Sequence, residues 1–285
     1  MKRLILILLF TGTIIAVKSQ TTADTTYWKK GGNYNFNFTQ VSLTNWAAGG
    51  QNSISGVTKL HLFANYKKEK VSWDNLIDLG YGLSKVEELV QKNEDLIDLQ
   101  SKLGIKTKTK WYYSASLAFK SQFAPGYKDA EKTIKTSSLF SPAYLTLALG
   151  MDYKPSDNFS LLLSPLTGKL TIVAEKEIDA LNYGLATSNA TTRMEMGASL
   201  KTLFNTNIVK NVGLNSELGL FSNYLKDPQN VDVDLKVGIN MKINDYLSAQ
   251  IDTRMLYDAD IKSPDDGKAK IQFKELLGIG LNLKF

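Results

Sequence analysis

The residue types that carry most enzyme chemistry are scarce in this chain, which has one histidine, His61, and no cysteine. A multi-histidine metal site, thiolate ligands and a cysteine nucleophile are therefore excluded. A serine hydrolase would need His61 as its base, but its same-face serines, Ser53 and Ser55, lie on its own strand. Same-face residues two apart are already ~6.6 Å distant at ~3.3 Å per residue, whereas a base spans ~2.6 to 3.2 Å.

A neighbouring strand would have to supply the nucleophile. Hairpin pairing across "KKEK" from Lys67 brings Asp78 and Leu76 closer to His61 than Ser72 or Ser84. An aspartate beside a histidine indicates a buried ion pair more readily than an esterase. We therefore expect no enzymatic activity.

No cofactor or metal site is predicted either. Asp258, Asp260, Asp265 and Asp266 could offer carboxylate oxygens to Ca²⁺, but they lack the spacing of a calcium loop. The "SPLTGKLT" segment lacks the first glycine of a phosphate-binding loop. The acidic residues are interpreted as a solvated loop.

The charged residues lie on segments in which apolar and polar side chains alternate, as in a strand with two different faces. Between Val231 and Ile243 every second residue is apolar, while Asp232, Asp234 and Lys236 occupy the other face. The polar faces carry both signs of charge in near balance. We predict that they line the lumen of a barrel, through Lys59, His61, Asp74, Asp78, Asp98, Lys102, Lys120, Glu195, Lys201, Glu217, Asp232, Asp234, Lys236, Asp252 and Arg254.

About twelve such strands are predicted, an even number. Most are longer than the ~5 to 6 residues usual in soluble proteins and match the ~9 to 11 of a tilted membrane crossing. The predicted ranges are 31–43, 51–66, 71–84, 94–105, 111–123, 139–153, 159–166, 192–204, 212–225, 231–243, 246–258 and 271–285.

The connections decide between a membrane barrel and a soluble lipocalin-like barrel, which shows the same alternation. They alternate between short turns, such as "ND" at Asn244, and longer loops, such as the one after Pro125. A barrel inserted from one side needs this asymmetry, with its turns and both chain ends in the periplasm. We predict an all-β fold, a closed antiparallel up-and-down transmembrane β-barrel of about 12 strands in the outer membrane.

The first residues resemble an export signal, with Lys2 and Arg3 before an apolar run that is too short for a membrane-spanning helix. The predicted organisation is a signal peptide over 1–19, a periplasmic segment over 20–30 and the barrel over 31–285. Cleavage would remove three basic residues and lower the formal charge from +6 to +3. No clustered basic face remains, so no nucleic-acid partner is expected.

The predicted partners are outer-membrane lipid and the barrel-assembly machinery. The last strand alternates apolar residues and ends on aromatic Phe285. Such a terminus resembles the signal by which that machinery recognises its substrates.

Several long motifs resemble one family. They are "WKKGGNYNFNFTQVSLTNWAAGGQNSISG" from Trp28, "FANYKKEKVSWDNLIDLGYGL" from Phe63, "SPAYLTLALGMDYKPSDNFSLLLSPLTGKLT" from Ser141 and "LYDADIK" from Leu256. They look like domain-of-unknown-function family 3078, typical of Bacteroidota envelopes. The resemblance implies an outer-membrane location and brings no activity, cofactor or catalytic residue.

Two functional hypotheses lead. The first is a porin-like barrel with a restrictive pore or small-solute path through a largely filled lumen, because about twelve strands leave a narrower interior than the ~16 to 18 of open channels. The second is a non-conducting structural barrel that docks envelope partners through its loops. An outer-membrane esterase or phospholipase using His61 is the third. The apolar segment 169–191 is expected to fold over or into the barrel mouth or to pack against neighbouring loops.

Overall fold

The computed structural model describes residues 27–42, 51–129, 131–263 and 266–285. The predicted signal peptide and most of the predicted periplasmic segment lie outside the described residues, as does Asp265. Twelve long antiparallel strands form a closed barrel: β1 (Trp28–Val41), β2 (Ser53–Lys68), β3 (Val71–Val86), β4 (Leu89–Lys106), β5 (Trp111–Ser121), β8 (Ala143–Ser156), β9 (Phe159–Ile172), β10 (Thr192–Val209), β11 (Val212–Asn223), β12 (Val231–Lys242), β13 (Leu247–Tyr257) and β14 (Gln272–Lys284).

Each barrel strand pairs with its neighbour in the chain, and β1 closes the cylinder against β14. A two-strand ribbon, β6 (Gly126–Tyr127) with β7 (Lys135–Ser137), and a 3₁₀ turn at Ala180–Tyr183 lie in the connections. The predicted closed antiparallel barrel of about twelve strands is confirmed.

The barrel has two unlike ends. One holds the start of β1 and the end of β14, and its turns, such as those at Glu69 and Asn211, are mostly short. We call it the terminal end and the opposite end the loop end. The predicted loop from Lys85 to Asn93 is wrong: β3 and β4 continue to a two-residue turn at Glu87 and Glu88, so this loop-end connection is short.

The predicted end of β9 at Leu166 is also wrong, because the strand continues to Ile172. The strand alternation is broken at Pro165, where the registers with both β8 and β10 shift. Proline cannot donate to a strand ladder, and the resulting bulge turns Pro165 and Leu166 to the same side. The Tyr224 hydroxyl donates to the Pro165 carbonyl at 3.0 Å and so satisfies this irregular backbone.

Apolar side chains cover the outside of the cylinder, and polar ones fill its interior. The buried polar set includes Asn35, Asp98, Asp152, Thr167, Glu195, Gln250 and Asn282. The exposed set includes Phe36, Phe38, Ile77, Leu99, Leu103, Leu117, Leu145, Leu147, Leu149, Leu163, Leu277, Ile279, Leu281 and Leu283. This arrangement is the reverse of a soluble barrel, whose interior is apolar.

Aromatic side chains group on the outer wall near the terminal end. Trp28 forms an aromatic row with Tyr66 and Trp73, whose ring centroids lie 5.2 and 5.7 Å from its own. Trp111 and Tyr153 form a second pair at 4.9 Å. Amphipathic rings at one height match the aromatic girdle of a membrane barrel. Among the described residues, no helix is long and apolar enough to span a bilayer.

Candidate functional site in the barrel lumen

Ion pairs cross the middle of the lumen. Asp98 on β4 is fully buried, and its carboxylate lies 3.2 Å from the Lys236 ammonium on β12 and 3.8 Å from that of Lys120 on β5. Because β4 and β12 stand on different walls of the cylinder, the Asp98–Lys236 contact spans its interior. A chain of charged side chains therefore occupies the space that a wide channel would leave to water.

Two further carboxylates extend this group. The Asp234 carboxylate accepts hydrogen bonds from Nε and Nη2 of Arg254, both at 3.0 Å, and lies 3.3 Å from the Lys120 ammonium. Glu217 lies 3.2 Å from Lys201 and 3.5 Å from Lys236. We define the lumen belt as these residues: Asp98, Lys120, Lys201, Glu217, Asp234, Lys236 and Arg254. Bidentate and shared pairs fix its side chains at several points.

A second group of charges lies toward the terminal end. Asp152 is fully buried, and its carboxylate lies 2.6 Å from the Lys102 ammonium and 3.6 Å from that of Lys154. Lys154 also contacts Asp74 at 2.7 Å. The predicted strand ranges leave Lys154 in a turn, which is wrong, because β8 extends to Ser156 and holds Lys154 inside the barrel.

A third group closes the loop end. The Lys169 ammonium lies 3.0 Å from Asp232 and 3.3 Å from Glu195. The Arg193 guanidinium contacts Glu195 at 2.6 Å and also pairs with Asp260. The predicted strand range leaves Lys169 in a loop, which is wrong. The bulge at Pro165 hides from the sequence pattern that Lys169 continues the polar face of β9 with Thr167 and Thr171.

The remaining predicted lumen residues also find partners. Lys59 pairs with Asp252 at 2.7 Å. His61 Nδ1 lies 2.6 Å from Asp78 Oδ1, and the two residues are directly opposite on β2 and β3. Every residue of the predicted lumen set thus has an ion-pair partner, while its part in a conducting path stays a prediction. Two charged residues outside the predicted lumen set, Glu94 on β4 and Lys274 on β14, also pair in the interior at 3.1 Å.

Within the described part of the chain, the side chain hydrogen-bonded to His61 is Asp78 and not a serine, and the Phe63 ring centroid lies 6.3 Å from that of the imidazole. The described residues also contain no group of three or more histidine, aspartate or glutamate side chains placed to hold a metal ion. The expectation of no enzymatic activity stays a prediction.

An ordered segment covers part of the loop end. We call residues 173–191 the cap: Val173, Ile178, Ala180 and Leu185 form a small buried core against which Tyr183 and Ala190 pack. The 3₁₀ turn within it ends at Gly184, whose φ of 74° is accessible to glycine at little cost. The Gly184 carbonyl accepts a hydrogen bond from Arg193 at 3.0 Å, which ties the cap to a lumen residue.

Ion pairs tie the cap to its neighbours. Lys135 on β7 contacts Glu175 at 2.6 Å and Glu177 at 2.9 Å. The hydrogen bonds that Lys135 donates to these carboxylates raise the pKa of Lys135, and the contact with Lys135 lowers the pKa of Glu175. The Tyr183 hydroxyl donates to the Thr136 carbonyl. Burial raises the pKa of Tyr183 to about 12. The cap therefore packs against its neighbouring loop, one of the two alternatives left open by the sequence.

Several solved outer-membrane proteins are similar to this chain at low sequence identity. The outer membrane channel of the COG4313 type from Pseudomonas putida F1 is 13% identical with a TM-score of 0.41, over 90% of this chain and 94% of that chain. The translocator domain of the autotransporter NalP from Neisseria meningitidis is 9% identical with a TM-score of 0.38, over 90% and 88%. Outer membrane phospholipase A from Escherichia coli is 8% identical with a TM-score of 0.37, over 93% and 95%.

None of these similarities is high enough to transfer an activity. No curated protein matches the sequence significantly. The family resemblance rests instead on a direct match: residues 38–127 fit the model of the family described as "Protein of unknown function (DUF3078)", which confirms the recognised family over that stretch.

Proposed function

We propose that this protein is an outer-membrane β-barrel that restricts passage through its axis to small ions. The apolar outer wall supports the membrane location, because outward apolar side chains suit the hydrocarbon of a bilayer, whereas the apolar side chains of a soluble barrel face inward. The two unlike ends support insertion with both chain termini in the periplasm. Its partners would be outer-membrane lipid and, through the strand ending at Phe285, the barrel-assembly machinery.

One observation carries the restrictive path: the Asp98–Lys236 pair and its neighbours bridge the lumen at mid-height. Porins with ~16 to 18 strands leave an aqueous channel, whereas a twelve-strand barrel is narrow enough for long side chains to meet across it. Both signs of charge line the constriction, so we expect weak selectivity between cations and anions. A solute larger than a hydrated ion would have to break the belt.

A non-conducting barrel that docks envelope partners is the second candidate. The ordered cap favours it, because Lys135, Arg193 and their carboxylate partners hold a folded surface over the loop end. A fixed surface of this kind suits recognition better than transport.

Planar-bilayer recording distinguishes the two functions. The wild type should give small ohmic steps, and the double variant Asp98→Ala with Lys236→Ala should give markedly larger ones. Removing both partners avoids leaving a buried charge unpaired. The matched control is Lys242→Ala with Asp245→Ala, which removes a surface pair at 2.6 Å and should leave the steps unchanged. Inserted but silent wild type and double variant would favour the docking barrel.

A further inference from the structure

The wall of the barrel is incompletely paired at one seam. Strand β1 pairs with β2 along its whole length, from Trp28 to Val41. Its pairing with β14 runs only from the Gly32–Phe285 hydrogen bonds to Asn37 opposite Gly280. Toward the loop end, no ladder pair joins the described residues Phe38–Val41 of β1 to Gln272–Ile279 of β14.

The unpaired stretch lies at membrane depth. Its outward side chains are apolar and exposed, with Phe38 at 48%, Leu277 at 69% and Ile279 at 57%. Phe38 lies ten residues along β1 from Trp28 in the aromatic row. At ~3.3 Å per residue and ~45° tilt, this separation is ~23 Å along the membrane normal. Phe38 therefore lies within the apolar band of such barrels, which is ~25 Å tall. An open sheet edge in hydrocarbon is costly unless it borders a hydrated cavity.

Such a cavity lies directly behind the seam. It has a volume of about 70 Å³, and both seam strands contribute to it through Asn37, Thr39, Leu276 and Gly278. Leu277, whose side chain points outward, also borders it, so the cavity reaches between the strands. Gly278 accommodates the Asn37 side chain at the border of the cavity, since a Cβ at position 278 would lie only 3.0 Å from Asn37 Cγ.

The cavity is amphipathic. Hydrogen-bonding groups of Ser55, Asn93 and Gln250 line its inner side, and Val57 lies among them. The charges of Lys59 and Asp252, which also border it, neutralise each other at 2.7 Å. It therefore offers hydrogen bonds and apolar contact without a net charge.

We propose that the β1–β14 seam is a lateral portal through which a small neutral amphiphile, a short-chain alcohol in the simplest case, moves between the lumen cavity and the bilayer. The Glu275 carboxylate, on the outward face of β14 beside the gap, would repel an anion. A cation would have to carry its charge into hydrocarbon, which is costly. The polar end of the amphiphile binds in the cavity, and its chain extends between the strands toward lipid. The portal is independent of axial conduction, because it opens through the wall.

Single cysteines labelled with bimane test the portal, since the chain has no cysteine of its own. The cavity positions are Leu276→Cys and Thr39→Cys. The lumen control is Ala148→Cys on β8, and the lipid-facing control is Leu277→Cys. Each variant is placed in nanodiscs made with brominated phosphatidylcholine, after heat-dependent gel mobility has shown that it is folded.

The expected result is bromine quenching at one or both cavity positions several times that at Ala148→Cys and below that at Leu277→Cys. Quenching at both cavity positions equal to the lumen control would mean a sealed seam and overturn the portal. Covalent dimers of Leu277→Cys under oxidation would mean that a second copy covers the edge, and would also overturn it.

The ligand class is tested with 6-bromohexan-1-ol in nanodiscs of unbrominated lipid. It should quench a cavity label saturably, whereas 6-bromohexanoate should do so several-fold less effectively. Quenching that does not saturate, or that is equal for alcohol and carboxylate, would overturn the assignment to a neutral amphiphile. These expectations do not depend on conductance along the barrel axis. A failure of the proposed ion path and a failure of the lateral portal can therefore be told apart.

Discussion

At the residue scale, the direction in which a side chain points decides what a substitution costs. Leu281 is exposed on the outer wall, whereas its neighbour Asn282 is only 7% exposed and faces the lumen. Adjacent residues on one strand therefore meet hydrocarbon and a polar interior. The chemistry of each position follows from this alternation more than from its place in the chain.

Leu281→Arg should block assembly, because an arginine near the bilayer midplane costs ~2 to 4 kcal/mol in such barrels. Asn282→Arg should be milder, since the lumen supplies water and polar partners. Heat-dependent gel mobility after refolding into detergent measures both. Equal yields of folded barrel would show that the assignment of the two faces is wrong.

His61 should not be required for any activity. Its Nδ1 is held by Asp78 at 2.6 Å, and both side chains are half-buried in the polar lumen, as an ion pair would be. Purified protein should show no ester hydrolysis above background in an assay with a chromogenic ester. Hydrolysis that disappears in His61→Asn would revive the hydrolase hypothesis.

At the scale of elements, the cap is held by charges whose titration predicts its pH range. Burial tends to raise the pKa of Asp260, but the hydrogen bond from Lys226 and the charge of Arg193 outweigh it and hold that pKa below its ordinary 3.8. Glu175 is likewise held below 4.5 by Lys135. A carboxylate with a lowered folded pKa stabilises the cap above its ordinary pKa and loses this effect as pH falls through the folded value.

The cap should therefore keep its packing against the neighbouring loop from pH 5 to 9 and lose stability in acid, below about pH 4. Above pH 10 it should loosen again, because Tyr183 is held neutral by burial while an exposed tyrosine ionises. Hydrogen exchange of residues 173–191, corrected for the intrinsic rate at each pH, measures this. Lys135→Met should raise exchange at neutral pH, and Lys108→Met, in an exposed turn, should not. Uniform exchange across this range would contradict the assigned role of these pairs.

The long and short connections make a prediction about orientation. Lys132 lies in the long connection between β5 and β8, whereas Lys108 lies in the turn between β4 and β5 at the terminal end. An epitope tag inserted at Lys132 should bind antibody on intact cells, and one at Lys108 should bind only after permeabilisation. The reverse labelling would invert the barrel in its membrane.

At the scale of the whole molecule, a twelve-strand cylinder is narrow enough for long side chains to fill its lumen. Asp98, Asp152 and Glu195 are almost completely buried, so each needs a partner to offset its desolvation. Lysines from distant strands provide those partners and fill the interior. The same closure leaves one weak seam, where the first and last strands meet with the fewest paired residues.

The strand pattern by itself determined the barrel, its strand number and which residues face inward, except at strand ends and beyond the bulge at Pro165. These depend on local alternation and strand length, and a one-residue error would turn every side chain to the wrong face. His61 near Asp78 also followed from the sequence, because a short connection limits the register of a hairpin. The structure shortened the predicted four-residue connection to a two-residue turn, which sets Asp78 directly opposite His61.

Only the tertiary structure decided where the charges meet. The Asp98–Lys236 contact joins residues far apart in the chain, and alternation says nothing about pairs across a lumen. The bulge at Pro165 concealed Lys169, since one extra residue reverses the apparent face of the strand. The β1–β14 seam depends on how the two chain ends close the cylinder, a geometric condition that no single segment of the sequence contains.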